Sequence, residues 1–280
     1  MTHFMHQLLL LALSALLGFS SAAKADDHSY IVAVAPQFTP TLTHRNWTPV
    51  LERIEKDTGY HLVLRVYDQI GTFEADLARG IPDFAFMNPY HIVVAKKANG
   101  YRPLLRDSTS LSGIVVVRGD GPIKKLADLN GKVLAFPSPN ALGASLLLRP
   151  LLAEKEGIQF TPSYVGNHQT VYRQVLQGDV VGGGGVRATL EKEPQAVQAQ
   201  LKILYTTPDM APHPLAAHPR VPAAVSSKIV KAILALAAEP EGRKLLAPTL
   251  LTQPQEADYQ RDYEPLTKLK LERYYESNGK

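Results

Sequence analysis

The sequence predicts an α/β protein built as two lobes, joined by a pair of strands, with a ligand cleft between the lobes. Three observations lead there. After residue 25, short β-branched and apolar runs alternate with helical patterns along the whole chain, the arrangement that builds α/β lobes. The 280 residues suffice for two lobes of roughly 100–150 residues each. Two apolar runs, 111–118 and 202–206, split the series, so the chain leaves a first lobe and later returns to it. The expected division is lobe 1 from 26–112 plus 208–280, and lobe 2 from 113–207. Strand ends and helix starts of two such lobes meet across the cleft, where a small ligand can sit.

Residues 1–25 carry the marks of a signal peptide. Positions 8–17 form an apolar core of ten residues, and Ala23-Lys24-Ala25 supplies a small-x-small cleavage signal. A membrane anchor would need about 20 apolar residues, so this run is too short to span. Cleavage after Ala25 and a periplasmic location are expected.

The mature chain then reads in order. A buried strand at 30–35 precedes a helix at 47–58, with Trp47, Val50, Leu51 and Ile54 on one face and Gly59 as its stop. A strand at 61–67, a short helix at 73–79, a strand at 84–87 and a helix at 90–98 complete the first series. The second begins with a strand at 111–118, followed by a turn at 125–131 and a strand at 132–136. The loop 137–140 opens a helix at 143–156. A strand at 159–165, a helix at 168–176, a glycine-rich run at 180–186 and a return strand at 202–206 follow. Proline and histidine mark 209–221 as loop, and helices are expected at 226–238 and 266–275.

Composition narrows the function classes. Cysteine is absent, which removes disulfides, thiolate nucleophiles and thiolate metal sites, and leaves no residue for lipid anchoring. The formal charge of +4 falls to about +3 without Lys24 and is spread along the chain. No basic cluster suits nucleic acid, while a mild positive balance suits a small anion. Neither a G-x-S-x-G elbow nor an H-E-x-x-H metal pair is present. The four glycines 182–185 lack dinucleotide-loop or P-loop spacing, so no cofactor is expected.

Three stretches can carry ligand chemistry. In Phe136-Pro137-Ser138-Pro139-Asn140-Ala141-Leu142-Gly143-Ala144-Ser145 a strand ends and a helix begins. Unpaired N–H groups at such a start suit an anion, and a plain turn capped by Ser138 or Asn140 fits the same residues. His168 stands at the next helix start, either as an anion donor or as a structural histidine. Gly182–Gly185 imply close backbone approach, either to a ligand or to neighbouring structure. Arg187 beyond them can reach an anion bidentately or stay in solvent. His213 and His218 near Asp209 sit in a Pro-rich setting that favours a rigid loop over a metal site.

In their order and spacing these segments resemble the periplasmic phosphonate-binding proteins of ABC importers. The markers are Trp47-x-Pro49 with Gly59-Tyr60, Asp83-Phe84-Ala85-Phe86, Leu126 to Lys132, Pro139-Asn140, His168 and the Pro-rich segment after Thr207. The resemblance covers about 31–274. It implies a type II binding-protein fold that closes on its ligand, and no enzymatic step. It also implies delivery of a phosphonate-, phosphite- or phosphate-like oxyanion to an ABC permease at the inner membrane. A role in feeding a membrane sensor kinase, or a different small solute, is the alternative; a monomer is expected.

Carried over residue by residue, the resemblance places the ligand at Ser138, Asn140, Ala141, Leu142, Gly143 and His168, with Tyr90 and His213 as further contacts; Arg187 joins them as a candidate on its own chemistry. The family's Ser/Thr segment after Pro-Asn falls here on Ala141, Leu142 and Gly143, so backbone N–H groups replace hydroxyls. A family tyrosine falls on Ile70, and an aromatic position on Met87. The two acids that hold an ammonium in aminoalkylphosphonate binders fall on Ala188 and His213. Loss of both argues against 2-aminoethylphosphonate, because a buried ammonium without partners is costly.

Overall fold

The computed structural model describes residues 29–276. Along the chain run β1 (Ser29–Val34), α1 (Pro40–Thr58), β2 (His61–Arg65), α2 (Ile70–Ala78), β3 (Phe84–Phe86), α3 (Pro89–Asn99) and β4 (Arg102–Asp107). Then come β5 (Gly113–Arg118), β6 (Lys132–Phe136), a helical stretch α4 (142–155), β7 (Phe160–Tyr164), α5 (His168–Gln177), β8 (Gly182–Val186), α6 (Arg187–Leu190), α7 (Gln195–Gln198) and β9 (Leu201–Thr206). The chain ends through β10 (Pro214–Ala217), α8 (Ala223–Ala238), α9 (Pro240–Leu246), β11 (Pro254–Glu256) and short helical turns.

These strands form two sheets. The first has the order β11-β4-β10-β3-β1-β2 and the second β7-β6-β8-β5-β9. β1 pairs in parallel with β2 and β3, whereas β10 runs antiparallel between β3 and β4. The chain crosses between sheets twice, after β4 and after β9. At the crossings Leu111 and Met210 exchange backbone hydrogen bonds of 2.8 and 3.0 Å. Thr207 N donates to Gly113 O, and Gly113 N to the Thr207 hydroxyl, just inside the second sheet.

Trp47, Val50, Leu51 and Ile54 are buried against the first sheet, as the periodicity predicts. The helix nevertheless starts at Pro40, seven residues earlier. A proline in the first helical turn needs no N–H partner, and the turns before Trp47 carry too few apolar residues to show a period. The expected loop at 209–221 contains β10, which is buried at the middle of the first sheet. Pro214 is tolerated there because it is the first residue of the strand. β4 and β11 were silent in sequence, β11 being Pro-Gln-Glu. The expected helix at 266–275 is instead two tight turns, Glu264–Leu269 and Leu271–Arg273, broken at Lys270 with φ 52°.

The glycine run in β8 is explained by its own lobe. A Cβ on Gly184 would collide with the Ala144 carbonyl oxygen and the Phe136 ring, and one on Gly183 or Gly185 with Val171 or Tyr172. Because side chains alternate across a strand, α4 presses on one face of β8 and α5 on the other. Gly113 and Gly143 likewise pass backbone to backbone. Gly184→Ala forces α4 off the sheet and should destabilise the protein by about 1–3 kcal/mol, read as a lowered urea midpoint. An unchanged midpoint contradicts this packing.

Candidate functional site

Between the sheets lies an inner chamber of about 20 Å³, room for roughly one water, so the lobes are drawn together. Its walls come from element starts and ends: Pro36 and Gln37 after β1, Ile70 opening α2, and Asn88 and His91 opening α3. From the other lobe come Ala141 to Ala144 opening α4, His168 opening α5, and Val186 ending β8. His213, just before β10, completes it. An outer chamber of about 130 Å³ shares Gln37, Val186 and His213 with the inner one and adds Ala188, Glu191 and Lys192.

α4 begins with a π-type turn, Leu142–Leu146. The first N–H groups of a helix lack acceptors within it and carry partial positive charge, so 141–144 present donors to the chamber. His168 faces the same space. Its ring is buried (4% exposed) and Nδ1 has no hydrogen-bond partner. The Gln37 side-chain oxygen is likewise buried and unpartnered. Burial pushes the His168 imidazole down to about 4. Burial, then the neighbouring His168 and His91, push His213 down to about 3. The His213 ring stacks on Phe86 at 5.7 Å.

His91 differs from these two. Its Nε2 donates to the buried carboxylate of Glu74 at 2.7 Å. Glu74 also accepts from Asn140 Nδ2 at 3.0 Å, which couples α2 in one lobe to the start of α4 in the other. Asn88 caps α3 through the Tyr90 and His91 N–H groups, and its Nδ2 donates to Asn140 O at 3.1 Å.

Of the residues singled out by sequence, the inner chamber gathers Ala141, Leu142, Gly143, His168 and His213. The other four stand elsewhere. The Asn140 side chain is spent on Glu74 and on the Glu276 backbone, donating to Glu276 O at 2.7 Å and accepting from Glu276 N at 2.9 Å. Ser138 lines a separate surface groove with Tyr164 and Asn167. Tyr90 packs its ring on Tyr275, centroids 5.6 Å apart. Arg187 is exposed, with Nη2 3.5 Å from the Thr206 hydroxyl. Ile70 lines the chamber and Met87 does not.

Sequence reasoning missed Gln37, Asn88 and His91. A signal existed for two of them: Phe86-Met87-Asn88-Pro89 ends a strand and opens a helix, just as 136–144 does. Gln37 had none. Asp209 accepts a hydrogen bond from Ser112, and His218 packs edge-on against Tyr101. Among the described residues no group of three or more His, Asp or Glu could hold a metal ion. None of their helices is long and apolar enough to cross a membrane.

Known proteins agree with this architecture. A family model described as the periplasmic substrate-binding protein of ABC phosphonate transporters matches residues 32–263. No curated protein matches the sequence. Among solved structures, a binding-protein component of an ABC phosphonate transporter from Pseudomonas aeruginosa superposes with a TM-score of 0.78 at 15% identity, covering 88% of this chain and 87% of that one. PhnD1 from Prochlorococcus marinus, in complex with methylphosphonate, gives 0.78 at 12% identity, covering 86% and 96%. A Xanthomonas citri protein bound to chloride ion gives 0.68 at 16% identity, covering 88% and 98%. At these identities the likeness establishes the fold, the two-lobed type II arrangement.

Burial of His168 and His213 sets a pH dependence. Both rings titrate in the fold below their ordinary 6.5, so the unfolded chain takes up protons that the folded chain refuses. Their contribution is intact above pH 6.5 and is lost as pH falls toward 4. From pH 7 to pH 5 each ring should remove about 2 kcal/mol of stability from the ligand-free protein. Chemical denaturation at the two values measures this, and His213→Gln should roughly halve the histidine contribution. A flat profile contradicts neutral burial.

Proposed function

The chain belongs to the family of periplasmic substrate-binding proteins of ABC phosphonate transporters, and from that premise we propose that it captures a small oxyanion in the inner chamber. Family members bind solutes and hand them to a membrane permease; they are not enzymes. Phosphonate, phosphite and phosphate are the ligand chemistry this reading names. One observation carries it: residues 141–144 at the start of α4 and His168, whose Nδ1 is buried and unpartnered, line the same chamber. N–H donors at a helix start suit a tetrahedral anion, which the lobes must part to admit because the chamber as it stands has room for roughly one water.

In this reading lobe 1 is 26–112 plus 208–280 and lobe 2 is 113–207. The lobes swing about the Leu111–Met210 crossing, opening to admit the anion and closing to bury it. Asn88–Asn140 and Glu74–Asn140 then act as closing contacts, since each joins the two lobes. Cleavage after Ala25 delivers the chain to the periplasm, where the loaded monomer docks on its permease. Two of the similar structures hold small anions, methylphosphonate and chloride, which is consistent with this use of the cleft. A ligand ammonium meets no acid at the two positions where the family's acids fall, Ala188 in the outer chamber and His213 in the wall shared by both.

A thermal-shift screen of residues 26–280 against phosphate, phosphite, methylphosphonate, 2-aminoethylphosphonate and sulfate tests the proposal. Ligand at about 100 times its Kd adds about 2.7 kcal/mol of stability, a visible shift. At least one oxyanion should stabilise the protein, and His168→Ala should abolish the shift. No response to any oxyanion, or a response to 2-aminoethylphosphonate alone, contradicts the assignment.

A further inference from the structure

Among the described residues no side chain of permanent positive charge, lysine or arginine, lines the inner chamber, and that sets how it can hold an anion. From α2 it receives the apolar Ile70, and from α3 Asn88 and His91, whose Nε2 lies 2.7 Å from the Glu74 carboxylate. After β1 it receives neutral Gln37, and from α4 only backbone N–H groups and the apolar Ala141, Leu142 and Ala144. The opening of α5 contributes His168, and the segment before β10 contributes His213. The charged groups nearby, Asp107, Glu191 and Lys192, line the outer chamber and not the inner one. Asp107 accepts from Thr109 N, Gln253 N and the Thr252 hydroxyl. Lys192 Nζ donates to Ala247 O, and Glu191 is exposed.

An anion sealed here meets helix-end dipoles but no counter-ion. Burying a charge without one is costly, and partial charges from a single helix start offset only part of that cost. The two rings without a carboxylate partner, His168 and His213, are the wall groups able to acquire a positive charge.

We propose that oxyanion capture by this chain is coupled to proton uptake, with the His168/His213 pair accepting one proton from solvent as the anion enters and the lobes close. This rests on the oxyanion reading above and specifies the charge state in which the ligand is held. Before binding, desolvation keeps both rings neutral. The anion reverses that balance, because an opposite charge within a few ångströms favours the imidazolium. The proton is shared by a pair of interacting rings and belongs to the pair. Linkage fixes the sign: affinity strengthens as pH falls through the titration of the complex, and weakens above it. His213 thereby differs in effect from an acid at the same place. A carboxylate would repel the anion and recruit an ammonium, whereas this ring supplies the missing positive charge.

Nitrogen-15 NMR of the mature protein with labelled histidine tests this directly, using methylphosphonate at pH 7 and assigning peaks with His213→Gln. Free protein should show both rings as neutral imidazole. Saturation should convert one ring of the pair, or a fast average over both, to the imidazolium pattern. Calorimetry in buffers of different ionisation enthalpy should report uptake of about one proton per anion beyond that of the ligand's own titration. Saturable methylphosphonate binding with both rings still neutral overturns the coupling and leaves the oxyanion reading standing. Absence of binding by methylphosphonate, phosphate and sulfate alike overturns both.

Discussion

The start of α4 lies directly on the second sheet, backbone against backbone, and the functional geometry depends on that contact. Gly184 faces the Ala144 carbonyl oxygen, and Gly113 faces that of Gly143. No side chain fits between them. The helix is therefore held against β5 and β8 at its first turn, with the N–H donors of 141–144 beside the chamber those residues line. A helix resting on ordinary side chains would stand several ångströms further out and carry those donors with it. The glycines thus convert a packing constraint into a fixed array of donors. The π-type opening turn of α4 belongs to the same region.

Electrostatics follows from that placement. Among the described residues no lysine, arginine or carboxylate lines the chamber, and the Glu74 carboxylate beside His91 is engaged by His91 and Asn140. Asn140 is the knot between halves of the molecule. Through it the first lobe's Glu74, the Asn88 side chain and the backbone of Glu276 all meet the opening of α4. The C-terminal segment adds to this, with Arg149 Nη2 donating to Tyr274 O at 2.8 Å and the Tyr274 hydroxyl bonding Glu154. Closure of the cleft and anchoring of the chain's end therefore share residues.

Much of this was legible in sequence, for identifiable reasons. The alternation of strands and helices, the apolar face of α1, and the helix starts at 142 and 168 follow from local patterns that tertiary packing reinforced. Gly182–Gly185 announced close approach, although the partner, α4 and α5 of the same lobe, was beyond reach of a one-dimensional reading. Failures share a cause. β4, β10 and β11 are short, rich in proline or charge, and become strands because neighbours supply hydrogen-bond partners. Asn140 and Tyr90 stood beside the right helices, yet the side-chain directions that send one to Glu74 and the other to Tyr275 depend on contacts far away in sequence. Gln37 follows β1 with no local mark at all.

The central claim is that an oxyanion sits between the first turn of α4 and the two unpaired histidines. A crystal structure of residues 26–280 grown with methylphosphonate tests it most directly. The account predicts phosphonate oxygens at hydrogen-bonding distance, about 2.7–3.2 Å, from N–H groups within 141–144 and from the His168 ring, with His213 alongside. A phosphonate held elsewhere, or a chamber that closes without one while the ligand is bound to the protein's surface, would contradict it.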